Sequence, residues 1–395
     1  MKLLFIHTGT KVKQDEEGNL YVNGEYSQDV LSTYENLSKE LTVVFKKDSK
    51  IYEKEEAKKK FEVLDKNKIN VILINDTRKS IKSFISIKLR KENRKMIKEA
   101  VENNEKIIIR LPCDGGYIAR KYIRKNNKKY MVEVVACIWD ALWNYGLRGK
   151  ILALPNYIKM KKTVKNAEYV VYVTNEFLQK RYKNNYNKLS CSDVRVKEIT
   201  EKILQNRVDK INNMNNLKTL SIATIGAVDV KYKGQKYVLK AIKHLKNKGY
   251  NIKYYLIGNG NKKYLETIAK KYKIEENIIF TGAVVHEEIF EYLDKIDLYI
   301  HPSNLEGLCR SIIEAMSRAC PIIVSNVGGN TELIKNKKYI FSKKNYREII
   351  NIIENLNNIE LKAMAKENYE NSKKYNSKRL MNIKTNFYEE YIKTN

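Results

Sequence analysis

Short apolar runs alternate with amphipathic charged segments along the chain, and this alternation constrains the fold more than any other feature. In the first half the runs are Leu3–Ile6, Val71–Ile74, Ile107–Ile109, Val132–Ala136 and Tyr169–Val173. Apolar runs of this length are typical of strands that are buried on both faces. Such strands, separated by helices, predict a parallel sheet that helices cover on both sides.

The helices of the first half are less evenly spaced. A polar, irregular stretch follows the first strand to about Gln28, and the pattern then favours a helix over Asp29–Leu41. Glu92–Glu102 is amphipathic and predicts a second helix. A polar, Asn-rich segment from Ile199 to Lys218 has weak periodicity, which is typical of a connection between domains.

After that segment the alternation restarts, which predicts a second doubly wound unit. The predicted strands are Leu220–Ile225, Lys253–Ile257, Ile278–Phe280, Leu298–Ile300 and Ile322–Val324. The predicted helices are Tyr237–Lys248, Lys262–Tyr272, Glu287–Asp294, Leu308–Arg318, a short one near Asn330, and a helical stretch over about Asn345–Lys393.

The chain length agrees with two such units. The 395 residues suit two domains of roughly 150–200 residues each. We expect an α/β fold with domains at 1–205 and 206–375, and with residues 376–395 forming a helix that returns to the first domain. The carboxyl ends of the strands of both domains should face a cleft, where open parallel sheets bind ligands.

The formal net charge is +30, which favours an anionic partner such as a phosphorylated ligand, a membrane surface or nucleic acid. The alternative is compositional drift, because Lys and Asn are abundant nearly everywhere. The five cysteines are scattered and form no CxxC pair. That pattern predicts reduced thiols in a cytoplasmic protein, and it argues against a disulfide framework or a zinc site.

No apolar run approaches the ~18 residues that cross a bilayer. The opening MKLLFIHTGT is too short for the apolar core of an export signal. We therefore expect a protein of the cytosol or of a membrane face.

The stretch Tyr299–Ile334 carries the most chemical information. Glu306-Gly307 lies in the turn after a strand, and Glu314 follows eight positions later, about two helical turns. The two carboxylates can accept hydrogen bonds from sugar hydroxyls. The helix start between them, at Leu308-Cys309, offers backbone N–H groups and a positive dipole end to a diphosphate. The alternative is that both glutamates are exposed surface acids.

The residues around those glutamates decide between the two interpretations. The matching positions are Pro302, Ser303, Glu306, Gly307, Glu314, Ala315, Met316, Pro321, Gly328, Gly329, Glu332 and Leu333. In this register the segment resembles the family 4 (group 1) glycosyltransferases of the GT-B fold. The resemblance implies two Rossmann-like domains, the first binding the acceptor and the second binding a nucleotide sugar.

The resemblance extends upstream to about Leu220. Gly226, Lys233 and Gly234 match the element whose Lys meets the donor diphosphate, although Lys233 could also be an ordinary surface lysine. Tyr255–Gly260 matches a strand-plus-glycine turn, and Phe280-Thr281-Gly282 with His286 matches the element near the base. The family often has Arg where this chain has Ala227, and Lys231 is the candidate substitute.

From this match we derive the predicted donor-binding residues. They are Gly226, Lys233, Gly258, Gly282, Glu306, Gly307, Leu308, Cys309, Glu314 and Glu332. Lys233, Glu306 and His7, the last at the end of the first strand, are the catalytic candidates, and a structural role is the alternative for His7. The resemblance implies retention of anomeric configuration, no bound metal, no cofactor besides a nucleotide-sugar co-substrate, and UDP as the first choice of nucleotide.

Three segments of the first half, Asp15–Tyr26, Glu133–Trp143 and Val173–Tyr182, resemble a bacterial subgroup that assembles capsular or other surface polysaccharides. They are candidates for the acceptor side. Trp139 and Asp140 can stack on and hydrogen-bond a sugar, or the Trp139–Trp143 pair can be core packing.

A loop at another strand end adds two acceptor-side candidates. Arg110 can contact a phosphate or pair with an acid, and Asp114 opens the Gly-rich turn after it. Both follow the run Ile107–Ile109, so they belong to the carboxyl edge of the predicted sheet.

Arg78–Lys98 contains nine basic residues and a single acid, Glu92, with Phe84, Ile85 and Ile87 interleaved. A basic amphipathic segment favours contact with an anionic membrane or a lipid diphosphate. The alternative is an exposed helix in a Lys-rich protein.

Together these features predict a hexosyltransferase that moves a sugar from a nucleoside diphosphate to a glycan or a lipid-linked glycan. It would act in the cytoplasm, peripherally on the inner face of the plasma membrane. The rival interpretations are a nucleotide-sugar epimerase or phosphorylase on the same fold, an inactive relative, and a nucleic-acid-binding protein. The last lacks any recognisable nucleic-acid-binding motif, so no nucleic acid partner is expected.

Overall fold

A computed structural model describes residues 1–23, 26–144, 146–194, 196 and 199–394. Internal contacts divide the chain into two units. Unit 1 comprises Met1–Val173, Leu178–Cys191 and Ile383–Asn395, and unit 2 comprises Thr174–Phe177 and Ser192–Asn382. Unit 2 thus begins about a dozen residues before the boundary expected at 205/206, and the chain returns to unit 1 at Ile383 rather than at residue 376.

Unit 1 is built on a nine-stranded sheet. Its strands are β1 (Lys2–Asp15), β2 (Leu20–Val22), β3 (Glu40–Tyr52), β4 (Glu62–Leu64), β5 (Ile69–Ile74), β6 (Lys106–Leu111), β7 (Met131–Val134), β8 (Tyr169–Tyr172) and β9 (Asn187–Ser190). The parallel strands lie in the order β5-β3-β1-β6-β7-β8-β9. This is the doubly wound order, in which the winding direction reverses between β1 and β6.

The sequence interpretation was wrong about the segment after the first strand. β1 does not stop at Ile6 but continues to Asp15, and it forms an antiparallel pair with β2. Tyr21 and Asp15 explain the extension, because the Tyr21 hydroxyl donates to the buried Asp15 carboxylate at 2.8 Å. Positions 24 and 25 of the Asp15–Tyr26 segment lie outside the described residues.

The helix expected over Asp29–Leu41 is also shorter than predicted. It ends at Glu35, and the chain enters the buried strand β3 at Glu40. Val43, Val44 and Phe45 are fully buried beside β1 and β5. β-branched and aromatic residues in a continuous buried run favour a strand over a helix.

The helices of unit 1 cover the sheet. They are α1 (Gln28–Glu35), α2 (Lys54–Lys60), α3 (Ile81–Ile85), α4 (Ile87–Glu102), α5 (Asp114–Lys125), α6 (Ile138–Trp143), α7 (Gly146–Lys165) and α8 (Phe177–Arg181), of which the last begins in unit 2. α5 packs against both α4 and α7. These three helices therefore lie side by side in one layer on one face of the sheet.

Unit 2 has a six-stranded sheet in which every recorded pairing is parallel. Its strands are β10 (Thr219–Ile225), β11 (Asn251–Ile257), β12 (Ile278–Gly282), β13 (Leu298–His301), β14 (Ile322–Ser325) and β15 (Ile340–Phe341). They follow the order β12-β11-β10-β13-β14-β15. The five strands expected from the sequence are all present, and the winding reverses between β10 and β13.

The helices of unit 2 flank that sheet. They are α9 (Glu201–Asn212), α10 (Gln235–Asn247), α11 (Lys263–Tyr272), α12 (His286–Lys295), α13 (Arg310–Ser317), α14 (Asn330–Leu333), α15 (Tyr346–Glu354), α16 (Asn358–Ser372) and α17 (Ser377–Lys393), the last of which ends in unit 1. Within the described residues, none of the helices of either unit combines the length and apolarity needed to cross a membrane.

The segment taken as an interdomain connection is largely the helix α9 of unit 2. Ile203, Arg207 and Ile211 are buried at four-residue spacing, so they share one side of the helix. The Arg207 guanidinium donates to the carbonyl oxygens of Leu293 at 2.6 Å and Ile296 at 2.5 Å. Because Arg207 occupies the middle position of this buried side, the helical spacing is not visible when only apolar residues are considered.

Candidate functional site

The two switch points locate the candidate sites before any side chain is considered. In a doubly wound sheet, loops leave the strands in opposite directions at the reversal, and the space between them binds ligands. In unit 2 this point lies between the ends of β10 and β13, where Gly226 and His301 are found. In unit 1 it lies between β1 and β6, where His7 and Arg110 are found.

A compact charged cluster occupies the unit 2 switch point. The Lys233 ammonium lies 2.9 Å from Glu306 Oε1, and His301 Nε2 lies 2.9 Å from the same oxygen. Their side chains are 21%, 12% and 1% exposed for Lys233, Glu306 and His301. One carboxylate thus holds two basic groups at the strand edge, with Lys233 the more accessible of the two.

The protonation of this cluster follows from its charges. Burial raises the pKa of Glu306, but Lys233 and His301 outweigh burial and lower that pKa to about 2. Burial lowers the pKa of His301, but the Cys309 sulfur and Glu306 outweigh it and raise that pKa to about 9. The pKa of Lys233 is raised by Glu306 against the effect of burial. At neutral pH the cluster therefore carries two positive charges and one negative charge.

Backbone contacts position Lys233 beside Glu306. Lys233 closes a 3₁₀ turn that ends at Gly234, whose φ is 77°. A Cβ at Gly234 would lie 2.0 Å from the Pro302 carbonyl oxygen, so only glycine permits this approach. The Asn304 N–H donates to the Tyr232 carbonyl at 2.7 Å and ties the loop after β13 to the same turn.

The Gly328-Gly329 pair braces the loop from the other side. Gly328 has a φ of 49°, and a Cβ there would lie 1.9 Å from the Glu306 carbonyl oxygen. The Gly329 N–H donates to the Gly307 carbonyl oxygen at 2.7 Å. The glycines matched in the sequence therefore fix the backbone of Glu306-Gly307, which explains why they accompany that acid.

His301 was not among the predicted site residues. Its ring nitrogens lie 3.2 Å from the Tyr299 hydroxyl and 3.3 Å from Cys309 Sγ, and the Tyr299 hydroxyl donates to Ser311 Oγ at 2.8 Å. This chain links the end of β13 to the start of α13. The signal available in the sequence was its position, because His301 ends the strand that precedes Pro302-Ser303.

Three groups of this cluster have the chemistry of metal ligands. His301, Glu306 and Cys309 present donor atoms within 4.8 Å of one another, the sole such group among the described residues. Lys233 contacts the Glu306 carboxylate from the remaining side. An ammonium at 2.9 Å from a ligand oxygen repels a divalent cation, so the cluster as arranged suits an anion better than a metal ion.

Glu314 lies on the buried side of α13 and contacts a second histidine. Its Oε1 is 3.2 Å from His286 Nε2, and the side chains are 10% and 45% exposed. The hydrogen bond to Glu314 raises the pKa of His286. The structure thus brings together two residues that the sequence analysis assigned separately, Glu314 as a donor-binding carboxylate and His286 as part of the element near the base.

The predicted glycines lie at neighbouring strand ends. The Gly226 N–H donates to the Ile257 carbonyl at 2.8 Å, and the Gly258 N–H donates to the Gly282 carbonyl at 3.0 Å. The edge formed by β10, β11 and β12 therefore presents backbone rather than side chains. Leu308 is half-buried and Cys309 is buried, and both precede the first residue of α13, Arg310.

Ala227 places no cation at this edge, and Lys231 is directed elsewhere. The Lys231 ammonium lies 5.0 Å from the centroid of the Tyr264 ring. His301, protonated at neutral pH, is the second positive group beside Glu306. The second cation beside Glu306 is therefore His301 rather than Lys231.

The carboxylate of Glu332 is engaged by backbone donors. It accepts the N–H groups of Asn175 at 2.6 Å, Glu176 at 3.1 Å and Phe177 at 2.6 Å. Asn175, Glu176 and Phe177 belong to unit 2, as Glu332 does, so the carboxylate satisfies three consecutive N–H groups within that unit. The assignment of Glu332 to donor binding stays a prediction.

At the switch point of unit 1 the polar side chains bind one another. His7 is buried, and its Nδ1–H donates to the Arg110 carbonyl oxygen at 3.1 Å. Burial, followed by the charge of Arg110, lowers the pKa of His7 to about 4. The Arg110 guanidinium pairs with the buried Glu133 carboxylate, which also accepts the hydroxyls of Tyr34 and Tyr388.

The other acceptor-side candidates also have protein partners. Asp114 pairs with Arg78, and Asp140 lies 3.1 Å from Arg181. Trp139 and Trp143 stack with ring centroids 5.2 Å apart and an interplanar angle of 13°. Trp143 is 45% exposed, so the pair is not the core packing that the sequence left open. Arg110, by contrast, does pair with an acid.

Comparison with known proteins agrees with these two units. The model for the family "Glycosyl transferases group 1" matches residues 207–378. Protein CapJ of Staphylococcus aureus is 36% identical over 313 residues, covering 77% of this chain and 77% of CapJ. The amylovoran biosynthesis glycosyltransferase AmsK of Erwinia amylovora is 30% identical over 127 residues, which is 30% of each chain.

Solved structures share the fold at low sequence identity. Sucrose-phosphate synthase from Thermosynechococcus elongatus matches with a TM-score of 0.67 and 14% identity over 99% of both chains. Anabaena HepE, in complex with UDP, matches with a TM-score of 0.64 and 14% identity over 99% of this chain and 100% of HepE.

Two doubly wound units with reversals at β1/β6 and β10/β13 define the GT-B class, as expected from the sequence. With the family match and the relationship to CapJ, the chain belongs to the group 1 (family 4) glycosyltransferases.

Proposed function

We propose that this protein is a retaining, metal-independent hexosyltransferase. It would transfer a sugar from a nucleoside diphosphate, with UDP the first choice, to a hydroxyl of a glycan or lipid-linked glycan. The observation that carries the proposal is the Lys233–Glu306–His301 cluster at the unit 2 switch point. The product would be a bacterial capsular or other surface polysaccharide, in keeping with the similarity to AmsK, a glycosyltransferase of amylovoran biosynthesis.

Charge stabilisation is the main chemical task of this site. When the bond between the anomeric carbon and the donor phosphate breaks, negative charge develops on the departing diphosphate. Lys233 and the N–H groups at Leu308-Cys309, which precede α13, would stabilise that charge. Glu306 orients Lys233 before the donor binds and offers its second oxygen to a sugar hydroxyl.

Metal independence rests on the charge already present. Glu306 holds the ammonium of Lys233 and the protonated ring of His301, and these two cations can take the role that a divalent ion plays for a diphosphate. His301 would also compensate for the Arg that Ala227 replaces. Transfer activity that survives EDTA would agree with this assignment, and restoration of activity by Mg²⁺ or Mn²⁺ after EDTA would contradict it.

The nucleoside would occupy the remainder of the unit 2 edge. Gly226, Gly258 and Gly282 leave backbone space there, Gly307 allows close approach of the donor, and Glu314 with His286 offers polar atoms to ribose and base. We keep Glu332 as a donor-binding candidate of lower rank, because three backbone N–H groups engage its carboxylate.

The acceptor would bind to unit 1. His7, Arg110, Asp114, Trp139 and Asp140 remain the candidates. The stacked, partly exposed Trp pair is the strongest of these, since aromatic faces suit sugar rings. The basic segment Arg78–Lys98 would contact anionic lipid, which places the enzyme peripherally on the inner face of the plasma membrane.

A thermal-shift screen against UDP-, GDP- and ADP-sugars tests the proposal directly. We expect one nucleotide class to raise the melting temperature, and the Lys233→Met variant to lose that shift. Failure of every nucleotide sugar to stabilise the protein would contradict the proposal. Epimerised donor appearing without any acceptor would instead favour the epimerase interpretation.

A further inference from the structure

Helix α7 of unit 1 carries an exposed apolar stripe in addition to its buried side. Leu147, Ile151, Leu154 and Ile158 are 81%, 74%, 55% and 43% exposed. Their spacing of four, three and four residues places them on one side of the helix. Trp143, at the end of the preceding helix α6, lies beside the first turns of α7, with the Lys150 ammonium 5.4 Å from the centroid of its ring. Soluble proteins rarely expose a contiguous apolar stripe of this length without a binding role.

The core of unit 1 does not account for this stripe. The buried positions of α7 are different ones, namely Gly149, Ala153, Asn156, Met160, Thr163 and Val164. That side already packs on unit 1. The helix therefore has two non-polar faces, and the outer one is left for another surface.

Basic residues accompany the stripe. α7 contains six basic residues and no acidic one, and all six are exposed: Arg148, Lys150, Lys159, Lys161, Lys162 and Lys165. The nearest acid before the helix, Asp140, lies 3.1 Å from Arg181. An apolar stripe with basic neighbours complements a bilayer whose headgroups are anionic and whose interior is apolar. A protein partner would need an unusually acidic rim around an apolar centre.

A second cluster of the same character lies in the same layer. Phe84, Ile85 and Ile87 are exposed where α3 passes into α4, within the basic segment Arg78–Lys98. The Asn75 N–H, directly after β5, donates to Asn93 Oδ1 in the second turn of α4 at 2.8 Å. The start of α4 therefore lies at the carboxyl edge of the sheet.

The start of α7 lies at that same edge. α6 and α7 follow the carboxyl end of β7, which runs parallel to β6 in the same sheet. Because α5 packs between α4 and α7, the two exposed clusters flank one helix along one edge of unit 1. The β1–β6 pairing ends at Ile6 and Ile109, and His7 and Arg110 follow those positions at this edge, so the surface adjoins the proposed acceptor region.

We propose that the outer face of α7, together with the start of α4, docks unit 1 on an anionic phospholipid bilayer. α7 would lie in the plane of the interface, with its apolar stripe among the acyl chains and its basic residues at the headgroups. The inference rests on the proposed membrane contact and deepens it, because it moves the main anchor from the basic segment to α7.

The chain contains its own reporter for this contact. Its two tryptophans, Trp139 and Trp143, both lie on α6 directly before the stripe. Docking should shift tryptophan emission to shorter wavelength, and quenchers attached to the acyl chains should reduce it. Binding through any other surface would leave the surroundings of both tryptophans unchanged.

Vesicle co-sedimentation of the full chain tests the surface. We expect binding to phosphatidylglycerol–phosphatidylcholine vesicles, little binding to pure phosphatidylcholine, and weakening by salt. The variant Leu147→Gln/Ile151→Gln/Leu154→Gln should reduce the partitioning of the protein onto vesicles by about tenfold or more. The reason is that three apolar side chains that would enter the bilayer are replaced by polar ones. A matched control, Val63→Gln/Ile359→Gln/Met381→Gln, removes three exposed apolar side chains elsewhere and should bind as wild type does.

The outcomes separate this inference from the proposed enzyme activity. Equal vesicle binding by the two triple variants, or binding without a tryptophan shift, would overturn the α7 surface. A stripe variant that turns a dimer into a monomer and leaves vesicle binding unchanged would also overturn it, in favour of self-association. The thermal shift that nucleotide sugars produce should be the same in the wild type and in both triple variants. Absence of that shift in all three proteins would count against the proposed donor site and would leave the α7 surface unaffected.

Discussion

Units 1 and 2 are wound in the same way, yet the polar groups at their switch points are used differently. In unit 2 the Lys233 ammonium and Glu306 meet at the strand edge and remain partly exposed. In unit 1 the Arg110–Glu133 pair is more deeply placed, and the hydroxyls of Tyr34 and Tyr388 also bind Glu133. One edge presents charge to a ligand, and the other uses charge to join elements of the sheet and the C-terminal helix α17.

This difference shows that topology alone does not make a switch point into a reactive site. Both edges have a histidine, His301 at the end of β13 and His7 directly after the β1–β6 pairing ends, but their protonation is opposite. Burial without a nearby acid in contact leaves His7 neutral, whereas contact with Glu306 and Cys309 keeps His301 protonated. The neighbouring charges, rather than the strand order, therefore decide which edge carries accessible positive charge.

The largest effect should come from removing the accessible cation. Lys233→Met keeps most of the apolar stem and deletes the ammonium that we propose stabilises the leaving diphosphate. We expect kcat to fall about 10²–10³-fold, the cost of losing one transition-state charge contact. Initial rates of sugar transfer from the best stabilising nucleotide sugar would measure it.

Lys231→Met is the matched control, because it lies in the same 3₁₀ turn and its ammonium lies over Tyr264. We expect nearly full activity. A loss equal to that of Lys233→Met would show that Lys231, rather than His301, compensates for Ala227.

The matching change in unit 1 should affect stability. Arg110→Met would leave the Glu133 carboxylate buried without its cation, at a cost of roughly 2–3 kcal/mol, since the two tyrosine hydroxyls remain. Urea unfolding would show this as a lower midpoint. Tyr388→Phe, which keeps the cation, should cost roughly 1 kcal/mol. A stable Arg110→Met protein with poor transfer would instead assign Arg110 to the acceptor.

A smaller effect is expected at the nucleoside end of unit 2. Glu314→Ala removes a carboxylate that holds His286 and that we assign to the ribose, so activity should fall at least about tenfold. The loss should appear mainly as weaker donor binding in the thermal-shift assay. His286→Gln keeps a hydrogen-bonding partner for Glu314 and should retain more activity. Unchanged donor affinity in Glu314→Ala would remove Glu314 from the site.

The same comparison explains how much could be predicted from sequence. The five predicted strands of unit 2 were located well because each is a short apolar run with a glycine or a proline at or next to one end. The Glu306–Glu314 element was found because its spacing and its glycines follow from backbone contacts that tolerate few substitutions, such as Gly328 against the Glu306 carbonyl. The local sequence pattern was sufficient for prediction where close backbone contacts restrict which residues can occupy a position.

Unit 1 was harder because its determinants are distant in sequence. Glu133 accepts hydrogen bonds from Tyr34 and Tyr388, which lie 99 and 255 positions away in the sequence. A local sequence pattern does not predict partners at such separations. The same reason hid His301, whose role depends on Cys309 and Glu306 rather than on its own periodicity. The exposed stripe of α7 was missed because an apolar helical residue is normally assigned to the core.

The smallest expected effect is a pH dependence of opposite sign in the two units. The pKa of His7 lies at about 4, below its ordinary value of 6.5. As the pH falls, His7 of the unfolded chain is therefore protonated before His7 of the folded chain. The contribution of neutral His7 to the free energy of unfolding is present above pH 6.5 and is lost as the pH falls through about 4. For His301 the pKa is raised to about 9, so its contribution is present below pH 6.5 and lost as the pH rises through about 9.

Melting temperatures across this range would separate the two histidines. His7→Gln should flatten the acid side of the profile by a few degrees and leave the alkaline side unchanged, and His301→Gln should do the reverse. If both variants flattened the same side, the charges around one histidine would not be those of the structure. Activity adds a sharper criterion, because loss of the His301 proton removes a cation from the proposed donor site. Donor affinity of the wild type should therefore weaken as the pH approaches 9, and this weakening should be absent in His301→Gln.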